Sequence, residues 1–207
     1  MPDGHFSTAL GGGRVRGVVV LLLAGGFGRR FGGDKLAARL PDGRAVGEAS
    51  LALARTAWPD VVCVVRPGTG MAAIARQCGV PMVECPEAVD GMGHTLAAGV
   101  RASTGAAGWV VALADMPFLS AATVRAVAEA VSAGSDLVAP VHGGERGHPV
   151  GFGARFGPEL ARLHGDEGAR TVVAAHRNIL RLLPVDDPGI LRDIDQPSDL
   201  ARQPPPG

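Results

Sequence analysis

The feature that most constrains this chain is the run Val18–Ala24, unbroken apolar residues that lead straight into a glycine-rich segment. A run without polar alternation suits a strand buried on both faces, as in parallel sheets covered by helices. It is far shorter than the roughly 20 residues that a membrane-crossing helix needs. Short apolar runs recur at residues 61–65, 81–84, 109–114 and 137–140. Between them lie stretches with helical spacing: residues 45–58, stopped by Pro59, then 71–78, 95–102 and 123–132, the last with Ser120 as its N-cap. The alternation predicts βαβ units, hence an α/β fold with a mostly parallel central sheet and helices on both faces. After Gly143 the rhythm changes. Two short helices are expected near residues 158–163 and 169–176, and short strands near 180–183 and 191–194. A chain of 207 residues, 46% hydrophobic, suits one domain with a full core. We assign it to residues 17–202, with a loose N-terminal tail over 1–16 and a Pro-rich tail over 203–207.

Lys plus Arg equals Asp plus Glu at 20 each. This balance argues against nucleic acid or an anionic membrane as the main partner, because both select a basic field. Cys63, Cys78 and Cys85 have no CxxC spacing and suit free thiols in a reducing compartment. The first residues carry no apolar stretch of the secretory type. The expected location is therefore cytoplasmic.

Ligands of open α/β sheets bind beyond the carboxyl ends of the strands. The loop after the first strand reads Ala24-Gly25-Gly26-Phe27-Gly28-Arg29-Arg30-Phe31-Gly32-Gly33-Asp34-Lys35. Glycines alone would fit a flexible surface loop. Here they follow a buried strand, allow main-chain N–H groups to turn onto an anion, and stand with Arg29, Arg30 and Lys35, which can neutralise a triphosphate. A dinucleotide-binding G-x-G-x-x-G/A pattern fails, since Phe31 occupies the third small position. A P-loop fails too, since Asp34 separates Gly33 from Lys35 and Leu36 follows.

Asp115 ends the run 109–114 and is followed by Met116 and Pro117. A carboxylate there sits at the ligand edge, where one hard oxygen ligand and substrate phosphates place Mg²⁺. Helix capping, the other use of such an aspartate, is better served by Ser120. Near the end, Asp193 and Asp195 would share one side of a strand, and paired carboxylates repel unless a cation lies between them. A turn with Ser198 and Asp199 capping a helix accounts for the same stretch. Gly91 and Gly93 precede a helix and allow close approach of a ring or phosphate, although a plain helix-start turn needs no more. His148, between Gly147 and Pro149, is either a structural histidine or a hydrogen-bonding group for a phosphate or heterocycle.

Taken together, LAGGFGRRFGGDK (23–35), DGMGHTLAAGVRA (90–102), VVALADMPF (110–118), GHPVGF (147–152), GDEGAR (165–170) and DIDQPSDL (193–200) resemble the MobA-like nucleotidyltransferase family, and within it the molybdenum cofactor cytidylyltransferase branch. The resemblance implies a Rossmann-like three-layer sandwich of the nucleotide-diphospho-sugar transferase type. It implies an NTP, CTP by branch, bound by Leu23, Ala24, Gly25, Gly26, Gly28, Arg30, Lys35, Gly91, Gly93 and Asp115. It casts Arg30, Lys35 and Asp115 as catalytic, Asp115 and Asp195 as Mg²⁺ ligands, and His94, Met116, Pro117, His148 and Pro149 as the acceptor side. The implied acceptor is a phosphorylated pterin, with a molybdenum hydroxylase as a downstream partner.

Two departures stand out. Gly25 replaces the alanine usual in the cytidylyl branch, a Gly-Gly form nearer the guanylyl branch. It is expected to leave a methyl's worth of extra room beside the base. A second lysine, usual in a Gly-Lys-Pro turn, is missing around residues 40–45. The rival readings are a guanylyltransferase, a transferase with another phosphorylated acceptor, an oxidoreductase, and a non-catalytic carrier that delivers cofactor to a molybdenum hydroxylase.

Overall fold

The computed structural model describes residues 17–26 and 31–201. The expected tails, and Gly28 and Arg30 of the glycine loop, lie outside the described residues. The strands are β1 (Val18–Ala24), β2 (Val61–Val65), β3 (Met82–Glu84), β4 (Gly108–Leu113), β5 (Leu137–His142), β6 (Glu145–Arg146), β7 (Val150–Gly153) and β8 (Leu180–Pro184). The helices are α1 (Val46–Ala57), α2 (Gly70–Gln77), α3 (Met92–Ala102), α4 (Ala121–Ser132), α5 (Gly157–Leu160) and α6 (Gly168–Ala175).

One sheet runs β3-β2-β1-β4-β7-β5-β6, with β8 also pairing with β5. β1, β2, β3 and β4 are mutually parallel, as is the β5–β8 pair. β7 lies antiparallel to both β4 and β5. The period-two alternation of β1 feeds two cores. Val18, Val20 and Leu22 face α1, α2 and α4, while Val19, Leu21 and Leu23 face α3, α5 and α6. The result is the expected three-layer α/β sandwich. Each such buried Leu or Val side chain contributes roughly 1.5–3 kcal/mol, which explains why the continuous apolar run commits to the sheet centre. Cys63 is part of this core, and burial pushes its thiol up to about 12. Ser120 caps α4 as expected, its hydroxyl accepting from Ala122 N at 3.2 Å.

No helix among the described residues is long and apolar enough to cross a membrane. One expected element is corrected: residues 191–194 are not a strand. Pro188–Leu191 forms a 3₁₀ turn and the chain beyond it is extended coil. Its main-chain donors are taken outside the sheet, Arg192 N by Gly189 O and Ile194 N by Asp115 O, so Ile194 is buried without a strand ladder.

Candidate active site

From β1 the chain winds outward through β2 and β3, then returns to place β4 on the other side of β1. This reversal is a topological switch point, and it opens a crevice at the carboxyl ends of β1 and β4. The register pairs Leu23 with Leu113, and Ala114 N donates to Leu23 O at 3.0 Å. Gly25 and Asp115 therefore emerge side by side. A pocket of about 260 Å³ occupies the crevice, with walls from Leu23, Gly25 and Gly26, from Leu113 and Asp115, and from Ala88, Gly91, Met92, Thr95 and Asp166.

Lys35 reaches this edge from the far side of the glycine loop. Asp34 Oδ1 accepts from the N–H groups of Leu36 and Ala37, and Leu36 O accepts from Gly47 N at 2.9 Å, which fastens the turn onto the start of α1. The Lys35 ammonium then lies 2.6 Å from Asp115 Oδ2 and 3.3 Å from Asp195 Oδ1. Burial works to lower the lysine pKa, but Asp115 and then Asp195 outweigh it and the net shift is upward. The other Asp115 oxygen, Oδ1, is buried and has no hydrogen-bond partner among the described residues. Asp115 and Asp195 are thus brought together, though not by a strand pairing. Asp195 is held in a turn, its N–H and that of Gln196 donating to Asp199 Oδ2 at 3.0 and 2.8 Å. A second pocket, of about 210 Å³, adjoins the cluster between Phe118 and Asp193, Asp195 and Asp199.

The glycine positions need correction. A Cβ on Gly25 would collide with Thr95 Oγ1 and come within 2.9 Å of Ala88 Cβ. The expected extra room at Gly25 is therefore taken by Thr95 and Ala88 and does not enlarge the pocket. Gly93 is buried, and a Cβ there would lie 2.5 Å from His164 O. The close approach it permits is that of the 164–166 main chain. Gly91, with φ +133, lines the pocket and also lets residue 165 pack closely.

On the expected acceptor side, Met116 and Pro149 are buried and support their loops, while Pro117 and His148 are only partly so. His148 Nδ1 is itself buried without a hydrogen-bond partner among the described residues. Burial, with help from the Arg146 charge, depresses the His148 pKa against the opposing pull of Asp115, so the ring is neutral at pH 7. His94 stands elsewhere, in the first turn of α3, its ring 6.5 Å from that of His164. Thr95 and Asp166 line the crevice although no residue-level signal had marked them. Thr95 was legible only as a hydroxyl on an apolar helix face, and its Oγ1 is buried without a partner among the described residues.

The switch-point crevice, walled by Gly25, Gly26 and Asp115 with Lys35 and Asp195 beside it, places the chain among α/β proteins with a site at the carboxyl edge of the sheet. The profile of the MobA-like NTP transferase domain matches residues 20–179, and the chain belongs to this family of nucleotidyltransferases. A phosphoenolpyruvate guanylyltransferase of Rhodococcus erythropolis is 30% identical over 162 residues, covering 68% of this chain and 67% of that protein. One from Nocardia farcinica is 32% identical over 156 residues, covering 72% and 67%. Among solved structures, Rv0371c of Mycobacterium tuberculosis superposes with a TM-score of 0.71 at 29% identity, over 90% of this chain and 96% of that one. Rv0371c in complex with manganese gives 0.64 at 28% identity, over 83% and 89%.

Proposed function

We propose that this chain transfers the nucleoside monophosphate of an NTP to a phosphorylated acceptor, releases pyrophosphate, and uses a divalent cation held by Asp115 and Asp195. The observation that carries the reading is the Lys35–Asp115–Asp195 cluster at the wall of the switch-point pocket. Two features support a divalent cation there. One buried Asp115 oxygen lacks a partner among the described residues, and the two carboxylates lie close enough for the Lys35 ammonium to sit 2.6 Å from one and 3.3 Å from the other. Carboxylate oxygens suit Mg²⁺ or Mn²⁺. When bound, the ion neutralises and orients the substrate phosphates.

The remaining work falls to the protein. Gly25 and Gly26 bring main chain to the pocket wall. Lys35, fully charged at neutral pH, offers its ammonium where negative charge grows on the leaving pyrophosphate. In this reading Arg30 shares that task, and Leu23, Ala24, Gly28 and Gly91 complete the nucleotide side, while Gly93 seats the 164–166 main chain next to it. A phosphate monoester, with a second pKa of about 6, is already mostly dianionic near pH 7. No residue has to deprotonate the nucleophile, and neutral His148 serves the acceptor side as a hydrogen-bonding group. Residues 17–202 act as one catalytic unit on soluble, cytoplasmic substrates.

GTP is the nucleotide best supported, because both curated relatives are guanylyltransferases that act with phosphoenolpyruvate. The cytidylyl reading, with CTP and a molybdopterin acceptor, is supported by the motifs at 91–96, 147–152 and 165–170. The argument from space at Gly25 now favours neither. Pyrophosphate release, measured for each NTP with phosphoenolpyruvate or molybdenum cofactor and Mg²⁺ or Mn²⁺, tests the reading. GTP with phosphoenolpyruvate is expected to lead. CTP with molybdenum cofactor would establish the cytidylyl alternative, and silence with every pair would overturn the transferase assignment of this site.

A further inference from the structure

Asp187 lies away from the pocket, yet it is a carboxylate only 6% exposed. Both of its oxygens are used. Oδ2 accepts from Ser120 N at 2.9 Å and from the Thr123 hydroxyl at 2.6 Å, while Oδ1 accepts from Gly189 N at 2.9 Å. The first two donors belong to the N-terminus of α4, where the unpaired N–H groups and the helix dipole favour negative charge. Such charge-assisted bonds make the burial of a carboxylate tolerable.

The geometry around Asp187 forms a closed ring. One side is the loop from Asp115 to the start of α4. The other is the segment from Asp187 to Asp195, which has no strand partner. Asp187 joins the two at one end, and Ile194 N, donating to Asp115 O at 2.9 Å, joins them at the other. Between these ends Gly189 packs so closely on Phe118 O that no Cβ would fit, and Ile190 O accepts from His148 N at 3.0 Å. Asp195 follows directly after the second join.

We propose that Asp187 is a positioning residue: its carboxylate clasps the 188–191 turn to α4 and thereby holds Asp195 at the separation from Asp115 at which one cation meets both. Without the clasp, the strap that carries Asp195 keeps its buried Ile190 and Ile194 and its main-chain bonds, but loses the side-chain anchor that ties its start to α4. The inference rests on the reading of Asp115 and Asp195 as cation ligands, and its test keeps the two apart.

The measurement is Mn²⁺ binding by the full-length protein, followed by electron paramagnetic resonance, alongside Tm and the affinity of a fluorescent GTP analogue without metal. Asp187→Ala is expected to weaken Mn²⁺ about tenfold, the scale seen when groups that orient metal ligands are removed, and to leave nucleotide affinity unchanged. Thr123→Val removes one donor and is expected to act in the same direction with a smaller loss. Added to Asp187→Ala it should change nothing further, because both act through one contact. Leu51→Val, buried in α1 on the same side of the sheet, lowers Tm without touching the clasp and should leave Mn²⁺ affinity intact. Asp115→Asn is the reference. If it does not weaken Mn²⁺, the cation site itself is refuted. If Asp115→Asn weakens Mn²⁺ but Asp187→Ala and Thr123→Val do not, the clasp is refuted. A loss with Leu51→Val equal to that with Asp187→Ala would refute it too, since instability alone would then explain the effect. If Asp187→Ala does not fold, Thr123→Val against Leu51→Val decides the matter.

Discussion

The two walls of the active site are held in place by different forces. The β1–α3 wall is fixed by packing. Leu23 and Ala24 are buried at the strand end, Gly25 lies flush against Thr95, and Gly93 lies beneath the main chain of His164. The 187–199 wall has no ladder. Ile190 and Ile194 seat it on the core, but its alignment comes from polar anchors: Asp187, the Ile194–Asp115 bond and the turn that Asp199 closes. A wall set by excluded volume fails when atoms are added, because a close-packed interior has no room to give. A wall set by polar anchors fails when atoms or charges are taken away. The Lys35–Asp115–Asp195 cluster is where the two meet.

The sharpest break is expected at that junction. Asp115→Asn keeps the shape of the side chain and removes its charge. Pyrophosphate release should fall by about 10³-fold or more, several kcal/mol of lost metal-dependent stabilisation, with Tm nearly unchanged. Near-normal turnover at saturating Mg²⁺ would exclude Asp115 as a metal ligand.

Lys35→Ala comes next, at about 10²-fold in kcat, the scale of one lost stabilising donor. Its effect on the NTP KM should be smaller, and a rise in KM alone would make the lysine a ground-state anchor. The same variant sharpens the contrast between walls, because it leaves two carboxylates facing each other. Added Mn²⁺ should then raise Tm more than it does in the unmodified protein.

Gly25→Ala probes the packed wall. The new methyl must displace Thr95 or Ala88, at a cost of roughly 1–3 kcal/mol, read as a lower urea midpoint and weaker binding of GTP and CTP alike. A change confined to one nucleotide would return Gly25 to a role in base selection. The smallest effect is expected from Thr95→Val, which removes a buried hydroxyl without a partner among the described residues. Unfolding in urea should show a gain of about 1 kcal/mol, and binding of a nucleotide that uses the hydroxyl should weaken.

The same contrast explains what could be read from the amino acids. β1, β2 and β4 were legible because a strand buried on both faces has no polar interruption. Asp115 was legible because it closes such a strand. β7 was not, since two of its four residues are glycines, yet the fold requires them there. A Cβ on Gly151 would press on Val131 and Val127, and one on Gly153 would crowd Asp136. The alternation Asp193-Ile194-Asp195 imitates a strand, but Ile194 is buried from a coil. Asp187 was legible at most as the cap of the turn that follows it, through Gly189 N; its other two donors, Ser120 N and the Thr123 hydroxyl, lie 67 and 64 positions upstream. Lys35 was visible as a cation, but its carboxylate partners are 80 and 160 residues away and only the assembled sheet brings them near.

The antiparallel β7 has a consequence for the chain as it leaves the ribosome. β1 to β4 can pair in the order of their synthesis, each new strand finding a neighbour already made. β5 cannot, because its place in the sheet is separated from β4 by a strand not yet translated. Until residues 150–153 emerge, the apolar Leu137–Ala139 stretch has only the two-residue β6 hairpin for company, and the outer edge of β4 stays open. β7 then closes the outer edge of β4 and the facing edge of β5 in a single step, and the other edge of β5 waits for β8. That interval is when a nascent chain of this kind most needs a chaperone.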